Sequence, residues 1–333
     1  MRNPFGNLNK IVTVKVLAVI CTALMLTACG GNPNAGTADG KAGDTTASAA
    51  PTGAAGGEER TFTDEFGHTV KVPASPKRVF APYLEDSLTK LGVTPVAQWS
   101  AGGQGNSYLK EKLSQVPKLD FSSGAPSPEV VTELQPDLII LQTESYASNG
   151  VYEKYSKIAP TYVFKNASSD PAASLSKLGE LLGKTGEAKQ ALQAHDKKVQ
   201  EAKAKLQQAA PGKKAAVIRF ASRGVSLMGG KYLAGAVIHD KLGFGMSKLV
   251  DGKNSAAISL EVLPDLDVDY IFMMNQYGQG TERMKEITES PFWKKIPAVQ
   301  AGHAYEVNSE YWLGSGMIAD EMMIDDVVKL IAK

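Results

Sequence analysis

Apolar positions fall into three regimes along this chain. Val16 to Ala28 is almost unbroken apolar sequence behind a basic start made by Arg2, Lys10 and Lys15. Gly30 to Glu59 then carries almost no large apolar residue. From Arg60 onward, short apolar runs recur between breaks marked by Gly, Pro and polar residues. The first run is shorter than the roughly 20 apolar residues that span a bilayer. It has the length of the apolar centre of a secretion signal. The second stretch cannot bury enough surface to offset its conformational entropy, and reads as a disordered tether. The folded part therefore begins near Arg60.

Within that part, Thr61 to Pro73 alternates and turns at Phe66-Gly67-His68, the pattern of a hairpin. Arg78 to Ala81 predicts a strand, Glu85 to Leu91 a helix, and Val93 to Trp99 another strand. Strand, helix and strand in that rhythm build a parallel α/β sheet. An internal repeat carries more information. Ser127 to Leu141 aligns without a gap to Ser259 to Met273, pairing Ser127 with Ser259, Glu129 with Glu261, and Asp137 with Asp269. In each copy the Ser stands where a helix N-cap belongs and the Glu lies in the first turn, ahead of an acidic turn and a buried strand. Each copy is followed by a further Pro-marked strand, within Ile158 to Phe164 and Ile296 to Val307. Two copies of one unit imply two lobes of like architecture. Between them, Ala172 to Leu182 and Glu187 to Ala209 read as helices, stopped by Gly183 and by Pro211-Gly212. The second is long enough, at roughly 30 Å, to join the lobes as a strut. A strand over Ala215 to Phe220 opens the second lobe, and a helix near Ile318 to Ile331 closes the chain. The expected divisions are 1–28 leader, 29–59 tether, 60–170 first lobe, 171–212 helical segment and 213–333 second lobe.

Composition sharpens this only in part. Net charge is +1 and 43% of residues are hydrophobic, a globular balance with nothing that favours nucleic acid. The two cysteines, Cys21 and Cys29, both lie in or beside the leader, so the folded part needs a core without disulfides. Leu26-Thr27-Ala28-Cys29 resembles the lipobox of bacterial lipoproteins, in which the thiol takes a diacylglyceryl group. Cys29 is thus the expected lipidation site.

Lipobox, tether, hairpin, two α/β lobes and a connecting helix, in that order, resemble the solute-binding lipoproteins of iron-siderophore ABC importers. The stretches Thr63-Asp-Glu-Phe-Gly-His-Thr-Val70, Pro76-Lys-Arg-Val79, Leu91-Gly-Val-Thr-Pro-Val96, Glu133-Leu-Gln-Pro-Asp-Leu138 and Gly302-His-Ala-Tyr-Glu-Val307 carry the likeness across residues 60–333. It implies two Rossmann-like lobes joined by a single long α-helix, the class III periplasmic-binding-protein fold. It also implies a monomer, held by its lipid on the extracellular face of the membrane of a Gram-positive cell. The partner would be an ABC importer permease dimer with a cytoplasmic ATPase. In the family, one surface glutamate per lobe docks into arginine pockets of the permease, and Glu129 and Glu261 occupy the matching places. A long strut also resists hinge closure, so the lobes should tilt rather than swing.

Ligands of such folds lie at strand ends, in the cleft between lobes. That nominates Tyr83, Trp99 and Tyr146 in the first lobe, and Arg219, Arg223, Tyr232, Tyr277, Tyr311 and Trp312 in the second. Aromatic rings pack against a bulky chelate and guanidinium groups fork onto its oxygens. His68, His195, His239 and His303 have no zinc-site spacing and read as scattered surface histidines, so iron should arrive inside an organic chelator. Only Arg219 and Arg223, of five arginines beyond the leader, are placed near that cleft. This favours a near-neutral ferric hydroxamate over an anionic ferric catecholate. Haem and cobalamin binders share the fold and stand as alternatives. An extracellular hydrolytic enzyme is the other rival, but Gly-x-Ser-x-Gly and His-Glu-x-x-His are both missing, and the glycines of Ser222 to Tyr232 do not meet the Walker spacing.

Overall fold

The computed structural model describes residues 58–332. The leader, Cys29 and the tether up to residue 57 lie outside the described residues. The chain opens on an antiparallel hairpin of β1 (Arg60–Thr63) and β2 (Thr69–Val72). Asp64 sets its turn, because one carboxylate oxygen accepts from the amides of both Phe66 and His68, at 2.9 Å each. Then come β3 (Val79–Phe80), α1 (Glu85–Lys90), β4 (Gln98–Ala101), β5 (Gln104–Gly105), α2 (Lys110–Leu113), β6 (Lys118–Asp120), α3 (Pro128–Glu133), β7 (Leu138–Leu141), α4 (Val151–Tyr155) and β8 (Thr161–Val163). β3, β7 and β8 form one parallel sheet; β5, β4 and β6 form another, with β4 and β6 parallel. The strand expected over Val93 to Trp99 thus starts later, at Gln98. Only the Val96 amide, bonded to the Val79 carbonyl, ties the earlier stretch to β3.

β7 shows why its apolar run is continuous. Leu138 and Ile140 face one core with Leu88, Leu175 and Leu178, whereas Ile139 and Leu141 face another with Phe80 and Tyr155. A parallel strand covered on both faces has no polar side.

After α5 (Pro171–Leu181) and α6 (Thr185–Ala209), the second lobe contains β9 (Ala215–Ala221), β10 (Gly224–Met228), β11 (Ser255–Ala257), β12 (Tyr270–Asn275), α7 (Thr281–Glu289), α8 (Pro297–Gln300), β13 (Ala304–Val307), α9 (Ser309–Trp312) and α10 (Met317–Ile331). Its sheet has the order β11-β10-β9-β12-β13, with β9, β12 and β13 parallel and β10 antiparallel to both neighbours. This antiparallel edge departs from a wholly parallel reading. Ser222 and Arg223 form a two-residue hairpin turn, and Gly224 (φ 154°) begins β10 behind it.

The repeat aligns the two lobes through its aspartates. Asp137 accepts from the amides of Lys77 and Arg78 (2.7 and 2.9 Å), just before β3. Asp269 accepts from the Lys214 amide (2.9 Å) and Lys213 Nζ (2.8 Å), just before β9. Each pins the start of the neighbouring parallel strand and so sets its register. The N-caps do not repeat. Ser127 caps α3, accepting from the Val130 amide. Ser259 caps nothing; its hydroxyl donates to Glu261, and only a single 3-10 turn, Leu263–Asp265, follows. Pro264 inside that turn opposes a full helix.

α6 is the expected strut, at about 37 Å for its residues. Ala188 near its start belongs to the first-lobe core, and Val199, Ala202 and Leu206 to the second. It is not alone. α10 also crosses, with Met317 in the first core and Met323, Ile324 and Val327 in the second. Midway along α6, His195 is buried rather than on the surface, with Lys241 Nζ 3.2 Å from its Nε2 and Glu321 3.7 Å from its Nδ1. Lys241 also pairs with the buried Asp320, and Lys90 of α1 with Glu321 at 2.6 Å. These partly buried charge pairs, set around the buried His195 and Asp320, tie α1, α6 and α10 together. His239 is buried too, its Nδ1 3.0 Å from the Phe244 carbonyl.

Candidate functional site

A cavity of about 360 Å³ opens between the lobes. The first lobe contributes residues beyond the carboxyl ends of three strands, Tyr83 after β3, Gln142 after β7 and Ser168 after β8, together with Trp99 within β4. The second contributes Tyr232 and Leu233 after β10, Tyr277 after β12, and Glu310 with Leu313 to Gly316 after β13.

Tyr83 centres an aromatic wall. Its ring lies 4.8 Å from Trp99, 5.0 Å from Tyr146 and 5.5 Å from Phe121, between ring centroids. Tyr146 stands behind Tyr83 rather than on the cavity surface. Burial, then the neighbouring Tyr146, pushes the Tyr83 phenol well above its ordinary value, so it remains a neutral donor. Tyr83, Leu233 and Tyr277 all take left-handed backbone conformations (φ 67°, 44° and 47°). Non-glycine residues held there signal a site whose shape is set before ligand arrives.

Below the wall lie two adjacent buried carboxyls that sequence reasoning did not single out. Glu85 accepts from the Trp99 amide (2.6 Å) and from Asn106 Nδ2 (3.1 Å), and burial pushes it up to about 7. Asp86 accepts from the amides of Ile318 (3.0 Å) and Ala319 (2.9 Å) and from the Tyr108 hydroxyl (3.1 Å). Burial raises it to about 6. Asp86 thus clamps the start of α10, in line with the helix dipole, and carries first-lobe structure across the cleft floor. The approach needs Gly316, where a Cβ would fall 2.0 Å from the carboxyl. Acidic residues at a helix start were visible in the sequence; their burial was not.

The other nominated residues divide. Tyr232 and Tyr277 line the cavity. Arg219, half-buried on β9, and Arg223, exposed in the hairpin turn, do not. Tyr311 and Trp312 belong to the core instead. Trp312 is 0% exposed against Phe272 (5.0 Å between centroids), and Asp326 accepts from both the Tyr311 hydroxyl (2.7 Å) and Trp312 Nε1 (3.0 Å). With their polar tips satisfied inside, these rings have no call on the cleft. Glu129 and Glu261 are exposed on separate lobes. Hydrogen bonds from Ser127 and Ser259 respectively lower both carboxyls from their ordinary value, keeping them charged. No group of three or more metal-ligating side chains occurs among the described residues.

Residues 85–311, from the start of α1 to α9, match the family model of the periplasmic binding proteins. The chain belongs to that family. Among its relatives, the iron(3+)-hydroxamate-binding protein FhuD of Bacillus subtilis is 30% identical, over 84% of this chain and 88% of that protein. The probable siderophore-binding lipoprotein YfiY of the same organism is 27% identical, over 80% and 86%. Staphylococcus aureus SirA, solved with staphyloferrin B, superposes with a TM-score of 0.68 at 26% identity, over 81% of this chain and 98% of that one. A binding component of a ferrichrome ABC transporter from B. subtilis gives 0.70 at 27%, over 82% and 100%. The fold is the class III periplasmic-binding-protein fold, and the protein is a solute-binding protein rather than an enzyme.

Proposed function

We propose that this protein captures a ferric hydroxamate siderophore in the interlobe cavity and delivers it to an ABC importer. The character of the cavity carries the choice of ligand. Tyr83, Trp99, Tyr232 and Tyr277 supply rings for packing, Gln142, Asn106 and Ser168 supply neutral polar groups, and no Lys or Arg lines it among the described residues. A ferric catecholate carries several negative charges and meets no compensating cation here, so its desolvation goes unrepaid. A ferric hydroxamate core is neutral, because three hydroxamate anions balance the ferric ion. Relatives bind hydroxamates, citrate and petrobactin by name, so ancestry leaves the chelate open and the lining decides. Titrating the protein with a ferric trihydroxamate, a ferric catecholate and haem, read by tryptophan fluorescence, tests this. Tight binding of the hydroxamate alone supports it, and preference for the catecholate or haem overturns it.

Delivery rests on Glu129 and Glu261. Both are exposed and charged, one per lobe, with the exposed Val130 beside the first. Like charges at matching points of two lobes suit a two-fold permease dimer with its ATPase beneath. The lipobox at Cys29 supports a lipid anchor on the outer face of the cell membrane, where the protein would act as a monomer. Two helices crossing between the lobes keep their separation nearly constant during capture.

A further inference from the structure

We propose that Glu310 and Tyr277 form a seat for an ammonium group, so that the preferred ligand is a cationic ferric trihydroxamate bearing one free amine. This rests on the hydroxamate reading above and narrows it. Two carboxylates line the cavity, Asp86 and Glu310. Asp86 is already bonded to three donors and has no need of a ligand. Glu310 differs, since its Oε2 is buried and makes no hydrogen bond. A buried carboxylate oxygen without a donor bears its desolvation uncompensated, which a cation entering the cavity would relieve. Burial pushes the Glu310 carboxyl upward and Lys118 alone opposes it, from a neighbouring depression that it shares with Lys110.

Tyr277 completes the seat. Its amide donates to Ser309 Oγ (3.1 Å), one residue before Glu310, and its left-handed backbone (φ 47°) turns the ring inward to line the same cavity. The phenol feels the Glu310 charge, second only to its own burial. A ring face beside a carboxylate is how proteins hold substituted ammonium groups. A side depression lined by Tyr277, Glu310, Glu306 and Asn308 adjoins this corner, also without Lys or Arg, and gives an amine-bearing arm somewhere to lie.

The test compares ferric desferrioxamine B, which carries a free amine, with its N-acetyl derivative, on the full protein and on Glu310→Gln. The wild type should bind the amine form about tenfold more tightly, as expected for a partly desolvated charge pair. E310Q should bind both forms nearly equally, the ratio between them falling from about ten to about one. Equal wild-type affinities, or a preference that survives in E310Q, would overturn the seat while leaving the hydroxamate reading intact. Binding of neither form, with capture of a ferric catecholate, would overturn both. Should E310Q not fold, the wild-type ratio and its shrinkage with added salt still decide the matter.

Discussion

Glu85 makes stability depend on pH in a direction opposite to ordinary acid denaturation. The residue is 0% exposed, and desolvation outweighs its hydrogen bonds from Trp99 and Asn106, raising it from an ordinary 4.5 to about 7. A carboxyl raised on folding favours the native state when protonated. Its contribution is complete below the unfolded value and disappears as pH climbs through about 7. Between about pH 6 and about pH 8 the unfolded chain stays ionised, whereas the native carboxyl passes from mostly protonated to mostly charged. That difference is close to one tenfold step, or roughly 1.4 kcal/mol. For a domain of this size it corresponds to about 3 °C in Tm. Glu85→Gln should abolish it. Melting both proteins across that range, the Tm of the variant minus that of the wild type should rise by about 3 °C from acid to alkaline. Asp86, raised to about 6, titrates in both proteins and largely below the window, and the buried His239, lowered by desolvation, is likewise common to both. A flat difference curve would refute the reasoning, because Glu85 would then ionise in the native protein as it does in an open chain.

Other consequences can be checked directly. Gly316→Ala sets a Cβ against the Asp86 carboxyl and should lower stability by about 1–3 kcal/mol through overpacking, together with ligand affinity; an unchanged Tm would mean that α10 can slide away from the clamp. Trp99→Phe should remove most of the ligand-induced fluorescence change, whereas Trp312→Phe should lower Tm and leave that change intact. The reverse pattern would return Trp312 to the cleft. Glu129→Ala combined with Glu261→Ala should abolish uptake by cells and leave siderophore affinity untouched, and transport at the normal rate would sink the docking idea.

The parts of this fold that rest on local chemistry were legible in the sequence. Gly183 and Pro211-Gly212 mark the ends of α5 and α6 because left-handed glycines and a proline interrupt helices wherever they stand. The hairpin, β7, β9, β12 and α10 follow from alternation and apolar runs in the same way. The misses are tertiary. Tyr311 and Trp312 follow a strand, which points them to the cleft, yet Asp326, in the third turn of the last helix, draws both inward. Arg219 and Arg223 belonged to the expected site until an antiparallel hairpin carried Arg223 to its tip. Ser259 copied Ser127 in sequence, but Pro264 stops the helix that a cap would begin. His195 looked like one more solvated residue of a polar helix, since its charged neighbours come from positions far along the chain. Asp86 and Glu310, the two carboxylates of the cavity, could not be ranked without knowing which already had donors.

The double crossing between the lobes has a consequence for how the protein is made. A chain emerges from its N-terminus, and a lobe can fold early only if its core is closed by what has already appeared. Here Met317, in the last helix, fills a place in the core of the first lobe, and the same helix supplies two amides that donate to Asp86. Until that helix arrives, the earlier half keeps an open socket and an acid whose one remaining donor is the Tyr108 hydroxyl. The core of the first lobe is therefore completed only once that helix has been released.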